Sequence, residues 1–303
     1  MIGAATARAA SSSTSTSTGM PRLPLGEWAA DVVDWVTSTF RGLFDQIRAV
    51  LEWCYGSLDT LLGGPPFWLV ALVLAAVALL VKGWRLAVGS LVGFTLIAAV
   101  DQWSNAMNTL ALVILASVVA LVLAIPLGIW CARNDRVSQI VRPVLDLMQT
   151  MPAFVYLIPT VVIFRVGVVP GIVATVIFAM APGVRFTELG IRQVDREVVE
   201  AGHAFGSGER RILRQIQLPL AMPTIMAGVN QVIMLSLSMV VISGMVGAAG
   251  LGRDVVTALQ RVNISLGFEA GVSVVILAVF LDRVTAALGD RSPVARALRA
   301  TNV

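Results

Sequence analysis

Between residues 200 and 219 the chain sets acidic, small and turn-forming residues at fixed intervals: Glu200-Ala201-Gly202, three residues, Gly206, nine residues, then Ile216-Gln217-Leu218-Pro219. The chemistry this offers is docking. Gly206 permits a sharp or left-handed backbone between two short helices. Ala201 and Gly202 are small enough to seat the first helix closely in a groove of another protein, and Glu200 offers that protein a carboxylate. Leu218-Pro219 stops the second helix where an apolar span begins. The residues for covalent or metal chemistry are not in place. The only lysine, Lys82, follows Val81, so there is no Gly-Lys pair to reach a nucleotide phosphate. No Ser/His/Asp or paired-carboxylate arrangement lies at a membrane pocket, and no catalytic residue is assigned. The single His203 has no cysteine near it and builds no metal site.

Stepping outward from that loop, the chain is 57% hydrophobic and 13% charged, with a mean hydropathy of +0.85, values that belong in a bilayer. Charge-free apolar stretches recur near 67–81, 86–100, 110–132, 147–164, 166–184, 220–246 and 270–281, which predicts seven spans. A helix needs roughly 20 residues to cross a hydrocarbon core of about 30 Å, so the third to sixth are comfortable. The first two are short and require a tight hairpin through Lys82, Gly83, Trp84 and Arg85, with the basic side chains snorkelling. The seventh needs flanking residues, reaching past Asp282 and Arg283 into the headgroups.

Arginine clusters fix the expected topology. Arg133, Arg136 and Arg142 follow the third span, Arg185 to Arg214 the fifth, and Arg283 to Arg299 the last. These segments share the cytoplasmic side, Lys82 and Arg85 with them, which leaves the N-terminus outside. Arg165, Arg253 and Arg261 are the minority on the outer side. Cys54 and Cys131 then lie on opposite sides and cannot form a disulfide.

Residues 1–25 are rich in Ser, Thr, Ala and Pro, with no apolar core of a secretory signal, and read as a disordered tail in which Met20 is an alternative start. Over 26–64 apolar residues recur at helical spacing opposite a charged face, predicting an amphipathic interfacial helix with Gly56 as its candidate break; packing on a partner chain is the other reading. A hairpin over 66–100, a core over 106–289 with a polar insertion at 185–219, and a cytoplasmic tail over 290–303 complete the chain. The fold expected is an all-α polytopic membrane protein.

The 200–219 spacing resembles the cytoplasmic signature loop of ABC importer permeases, Glu-Ala-Ala, three residues, Gly, nine residues, Ile, one residue, Leu-Pro. Its one departure is Gly202, where that family often has alanine. Met148-Gln149-Thr150-Met151-Pro152-Ala153-Phe154-Val155-Tyr156-Leu157, the run from Leu218 to Gln231, and Leu237-Ser238-Met239-Val240-Val241 resemble the glycine betaine/proline betaine permease family, a resemblance that covers about 106–289 and extends to the leader and hairpin of its longer members.

That resemblance implies a type I importer core of five helices in a bacterial inner membrane, importing a quaternary-ammonium compatible solute. It further implies an ATP-binding cassette ATPase subunit in two copies that holds ATP and Mg, an extracytoplasmic substrate-binding protein, and a second copy of this chain; no cofactor and no nucleic acid would be bound by the chain itself. Phe154, Tyr156, Phe164 and Phe178 fall in central spans where aromatic faces could hold a permanent cation or simply fill volume. Pro152, Pro159, Pro170, Pro182 and Pro223 mark kinks or cavity-lining carbonyls, and Gly244, Gly247, Gly250 and Gly252 a flexible or re-entrant outer gate. The competing reading is an ion-coupled carrier or a channel for small polar solutes; coupling ions call for ionisable residues at mid-membrane, and the span centres show none.

Overall fold

A computed structural model of the chain describes residues 24–290. Of the tail expected over 1–25, residues 1–23, with Met20, lie outside these residues, as does the segment beyond residue 290; Leu25 already opens a helix. The chain falls into two units, Met1–Asp45 and Gln46–Val303.

In the first unit, α1 (Leu25–Thr39) is amphipathic, and its apolar face of Trp28, Val32 and Trp35 is exposed. The break comes at Phe40, before α2 (Arg41–Gly63), and not at Gly56, through which α2 runs unbroken. Thr37 and Ser38 hydroxyls bond back to the carbonyls of Val33 and Trp35, competing with the helix just before it ends.

The second unit is built on apolar helices. α2 and α3 (Phe67–Lys82) meet at 100° across Gly63-Gly64-Pro65-Pro66, a run that cannot continue a helix. Gly83, at φ +100°, turns α3 directly into α4 (Trp84–Ala99). α5 (Trp103–Arg133), α8 (Val168–Arg192), the run Glu209–Met245 and Ile264–Gly289 are each long and apolar enough to cross a membrane. Small residues let them approach: Gly128 of α5 lies against Thr187 of α8, and Gly183 of α8 against Ala124 of α5, so the two helices run parallel. Gly190 and Gly228 set α8 antiparallel to α11 (Leu218–Ser238) through Ala221 and Phe186. The last helix, α14 (Ile264–Asp290), continues past Asp282 and Arg283; Asn230 of α11 donates to Asp282 at 3.1 Å and accepts from Thr285 at 2.5 Å.

The fourth stretch, expected as a comfortable span over 147–164, is two helices, α6 (Asp135–Thr150) and α7 (Ala153–Phe164), bent by 97°. Pro152 is the cause. It disfavours helix at Met151, whose ψ is 137°, and supplies no N–H to the carbonyl of Met148. The Tyr156 hydroxyl donates to that orphaned carbonyl.

Candidate coupling site

α8 carries the helical pattern beyond residue 185, so the polar insertion is narrower than the sequence suggests and begins after Arg192. Asp195 caps α9 (Arg196–Ala204) by accepting from the Glu197 N–H at 2.9 Å, satisfying one of the free amides of its first turn. The helix ends in a turn in which Gly206 takes φ +75°, its N–H donating to the His203 carbonyl and that of Ser207 to the Gly202 carbonyl. A residue with a Cβ is strained there. α10 (Glu209–Ile212) then leads back toward the bundle.

Two expectations about this loop change. Gly202 does not face outward: it is buried, and a Cβ on it would lie 2.8 Å from Ile216 Cδ1 and 3.4 Å from Ile212 Cγ1. Its smallness seats α9 on the chain's own second helix, with Ile212 1% exposed beneath it. Leu218-Pro219 does not stop that helix either. Residues Leu213–Gln217 form a π-helical turn, closed by the Leu218 N–H on the Leu213 carbonyl, and run straight into α11. The wider turn relieves the clash between a proline ring and the preceding carbonyls, so the loop and the span become one rod.

The outward face is then Glu200, Ala201, His203, Ala204 and Phe205. Phe205, 90% exposed at the tip, is a large apolar side chain in a polar loop; that contrast was its only signal in the sequence. Val198 adds a second exposed apolar group about two turns earlier.

Beneath the loop lies a charged cluster that the sequence did not single out. Glu188 is 4% exposed and accepts from Ser138 at 2.7 Å, from Arg142 at 2.9 Å and from Arg192 at 2.9 Å. Arg192 also reaches Asp135 at 2.7 Å and the Cys131 carbonyl at 2.8 Å, and Arg185 pairs with Asp146. The cluster ties α5, the broken α6 and α8 together where α8 hands over to the loop. Buried charge in this form persists only when paired and hydrogen-bonded.

The four aromatic candidates separate. Phe164 is buried, Phe178 packs with Leu157, Ala174 and Met239, Tyr156 is engaged on the Met148 carbonyl, and Phe154 is half exposed. At the opposite end, the glycines expected as a flexible gate make a tight crossing of α12 (Val240–Met245) with α13 (Leu251–Arg261): a Cβ on Gly252 would lie 2.1 Å from the Val240 carbonyl, and one on Gly244 would lie 2.5 Å from the Arg253 nitrogen. Leu251 N–H donates to the Thr109 hydroxyl at 2.9 Å, fixing this crossing to the start of α5.

Comparison with known proteins places this architecture. Residues 124–292 match the family described as binding-protein-dependent transport system inner membrane component. The chain is 47% identical over 266 residues to the glycine betaine transport system permease protein OpuAB of Bacillus subtilis, covering 88% of this chain and 94% of that one. It is 46% identical over 270 residues to the glycine betaine/proline betaine transport system permease protein ProW of Escherichia coli, 89% of this chain and 76% of that one. The glycine betaine/carnitine transport permease protein GbuB of Listeria monocytogenes is 46% identical over 277 residues, 90% of this chain and 98% of its own. In fold the chain resembles an inward-facing MetNI methionine ABC transporter chain, with a TM-score of 0.55 at 22% identity, covering 64% of this chain and 94% of that one. The chain therefore belongs to the inner membrane components of binding-protein-dependent ABC transport systems, grouped with the glycine betaine/proline betaine transport-system permeases.

Proposed function

We propose that this chain is the translocating subunit of an importer for glycine betaine and proline betaine-type solutes, working as a pair of copies with two ATP-binding cassette subunits and an extracytoplasmic binding protein. Membership of the family supports an ATPase in a separate subunit and does not favour the ion-coupled carrier or channel. ATP and Mg belong to that neighbour in this reading, and no catalytic group is assigned to the chain.

The observation that carries the mechanism is the continuous rod from Glu209 to Met245. A push on α9 reaches Ile212 and Ile216 through the buried Gly202, and from there enters α11 without passing a flexible joint. Glu200, Ala201, Gly206 and the exposed Phe205 form the docking face; Gly202, Ile216, Leu218 and Pro219 form the transmitting side. In this reading the loop lies in the cytoplasm with the C-terminus and the N-terminus lies outside, an orientation that the arginine clusters support. Of the four aromatics, Phe154 keeps a ring face available to a passing cation.

The test is co-purification from a mild detergent together with uptake of radiolabelled glycine betaine. Glu200→Arg reverses the charge of the docking face, and Gly206→Pro forbids the φ of +75°. Both are expected to lose the ATPase subunit and uptake; unchanged uptake in both counts against the docking role.

A further inference from the structure

Packing within the chain leaves a polar edge of α11 free. Thr224, Gln231 and Ser238 recur every seven residues, so on this helix they share one edge, drifting by about 20° and rising by about 10 Å at each step. Ala227, between the first two, belongs to the same edge. Ala227, Gln231 and Ser238 are exposed, and Thr224 is partly so. The edge lies within the run Glu209–Met245, which is long and apolar enough to cross a membrane.

Among the described residues, none of these three polar side chains makes a hydrogen bond. Other hydroxyls of the spans behave differently. Thr175, Thr187, Ser236, Ser243 and Ser273 each donate to a carbonyl one turn back on their own helix, which satisfies a hydroxyl without water. Asn230, next to Gln231 but turned toward α14, is engaged by Asp282 and Thr285. A carboxamide left unpaired against hydrocarbon is costly, so lipid is the wrong neighbour for Gln231. Polar side chains at this depth turn instead to protein or to a water-filled cavity.

Neutral donors hold an anionic oxygen without trapping it, and a route needs binding that is weak and repeated. A betaine carboxylate can accept from the Thr224 and Ser238 hydroxyls and from the Gln231 amide in turn, while its trimethylammonium group has no donor to satisfy. The edge also sits on the rod that runs unbroken from the docking loop, so a push on α9 displaces it directly. We propose that this edge of α11 is a wall of the solute route, with Gln231 donating to the carboxylate of the passing zwitterion. The identity of the solute rests on the transport reading; the wetting of the edge does not.

The full-length permease with its ATPase partner, in proteoliposomes and with Cys54 and Cys131 replaced by alanine, is treated with trimethylammonioethyl methanethiosulfonate. This reagent carries the solute's own cation and attacks thiolates, which form only where water reaches. Gln231→Cys and Ser238→Cys are expected to react, whereas Val118→Cys, on the exposed apolar face that α5 shares with Val122, stays unmodified. Gln231→Leu keeps the bulk and removes the donor: uptake of radiolabelled glycine betaine is expected to fall about tenfold with the ATPase subunit still bound, and Gln231→Asn to recover part of it. Failure of both cysteine variants to react, or equal reaction of Val118→Cys, overturns the proposal. Disulfide-linked pairs of Gln231→Cys chains that the reagent does not modify make the edge a seam between two copies, and overturn it as well. Uptake that stands while the edge stays dry sinks the wall alone; reaction at the edge of a complex that moves no glycine betaine keeps the wall and sinks the transport reading.

Discussion

A carboxylate at 4% exposure between two guanidiniums is stable while every partner stays, and becomes a liability for them when it is removed. Glu188→Ala strands Arg192, whose remaining contacts are Asp135 and the Cys131 carbonyl, and leaves the Ser138 hydroxyl without its acceptor. The expected cost is about 2 kcal/mol, since Arg142 is itself 59% exposed and water takes over part of its role. Thermal unfolding of the detergent-solubilised chain measures it, with Glu188→Gln falling between the two because an amide oxygen still accepts from Ser138. An Ala variant as stable as the parent refutes the structural weight given to this cluster. The sequence conceals Glu188 because it lies in a run of alternating arginines and acids that reads as a solvated face. Its burial depends on α8 continuing eight residues beyond the fifth apolar stretch, and on α6 folding across it. Gly206 was legible for the opposite reason: its φ is a local demand, and local demands are written in single residues. Gly202 stands between them, since smallness shows in the sequence but the surface it fits does not.

At the level of elements, the prolines were legible as punctuation but not as to what each would do. Pro126, Pro143, Pro159, Pro182 and Pro223 lie inside helices, Pro219 is absorbed by a π-turn, and Pro152 breaks the chain by 97°. The outcome turns on who satisfies the freed carbonyl. For Pro152 it is the Tyr156 hydroxyl, one turn into the next helix, which locks the bend instead of letting the two segments realign. Pro152→Ala restores an N–H to the Met148 carbonyl and removes the ring that opposes a continuous helix, a change worth up to about 3 kcal/mol toward straightness. The expected result is a higher melting temperature, a rise in helical circular dichroism and a loss of solute uptake with the ATPase subunit still bound. A straightened span that transports normally would show the bend to be incidental. The lengths of the short spans follow the same logic: α3 and α4 each have 16 residues, set by Pro66 and Gly83 and not by where their hydrophobicity fades.

For the whole molecule the question is which way it faces, and length cannot answer it. Four helices are long enough to cross alone and bent pairs raise the number to six, while α4, at 16 residues, rises only about 24 Å and leaves the parity of crossings open. Packing supplies the relative ends. α5 and α8 run parallel; the loop around Gly206 follows the C-terminus of α8, and α13 is fastened to the start of α5 through Thr109, so the two lie at opposite ends of the bundle. For the absolute sense the proposed reading relies on arginine, with the end bearing Arg133, Arg136, Arg185 and Arg192 expected in the cytoplasm. The relative ends and the absolute sense are independent properties of the bundle, and one labelling experiment reads both. In a background with Cys54 and Cys131 replaced by alanine, Ser207→Cys is expected to react with a membrane-impermeant maleimide only in inside-out vesicles, and Gln260→Cys only in right-side-out ones. Reaction of both from one side would break the packing argument. Reaction of each from the side opposite to that stated would leave the bundle intact and invert the molecule, placing the docking loop out of reach of any ATPase.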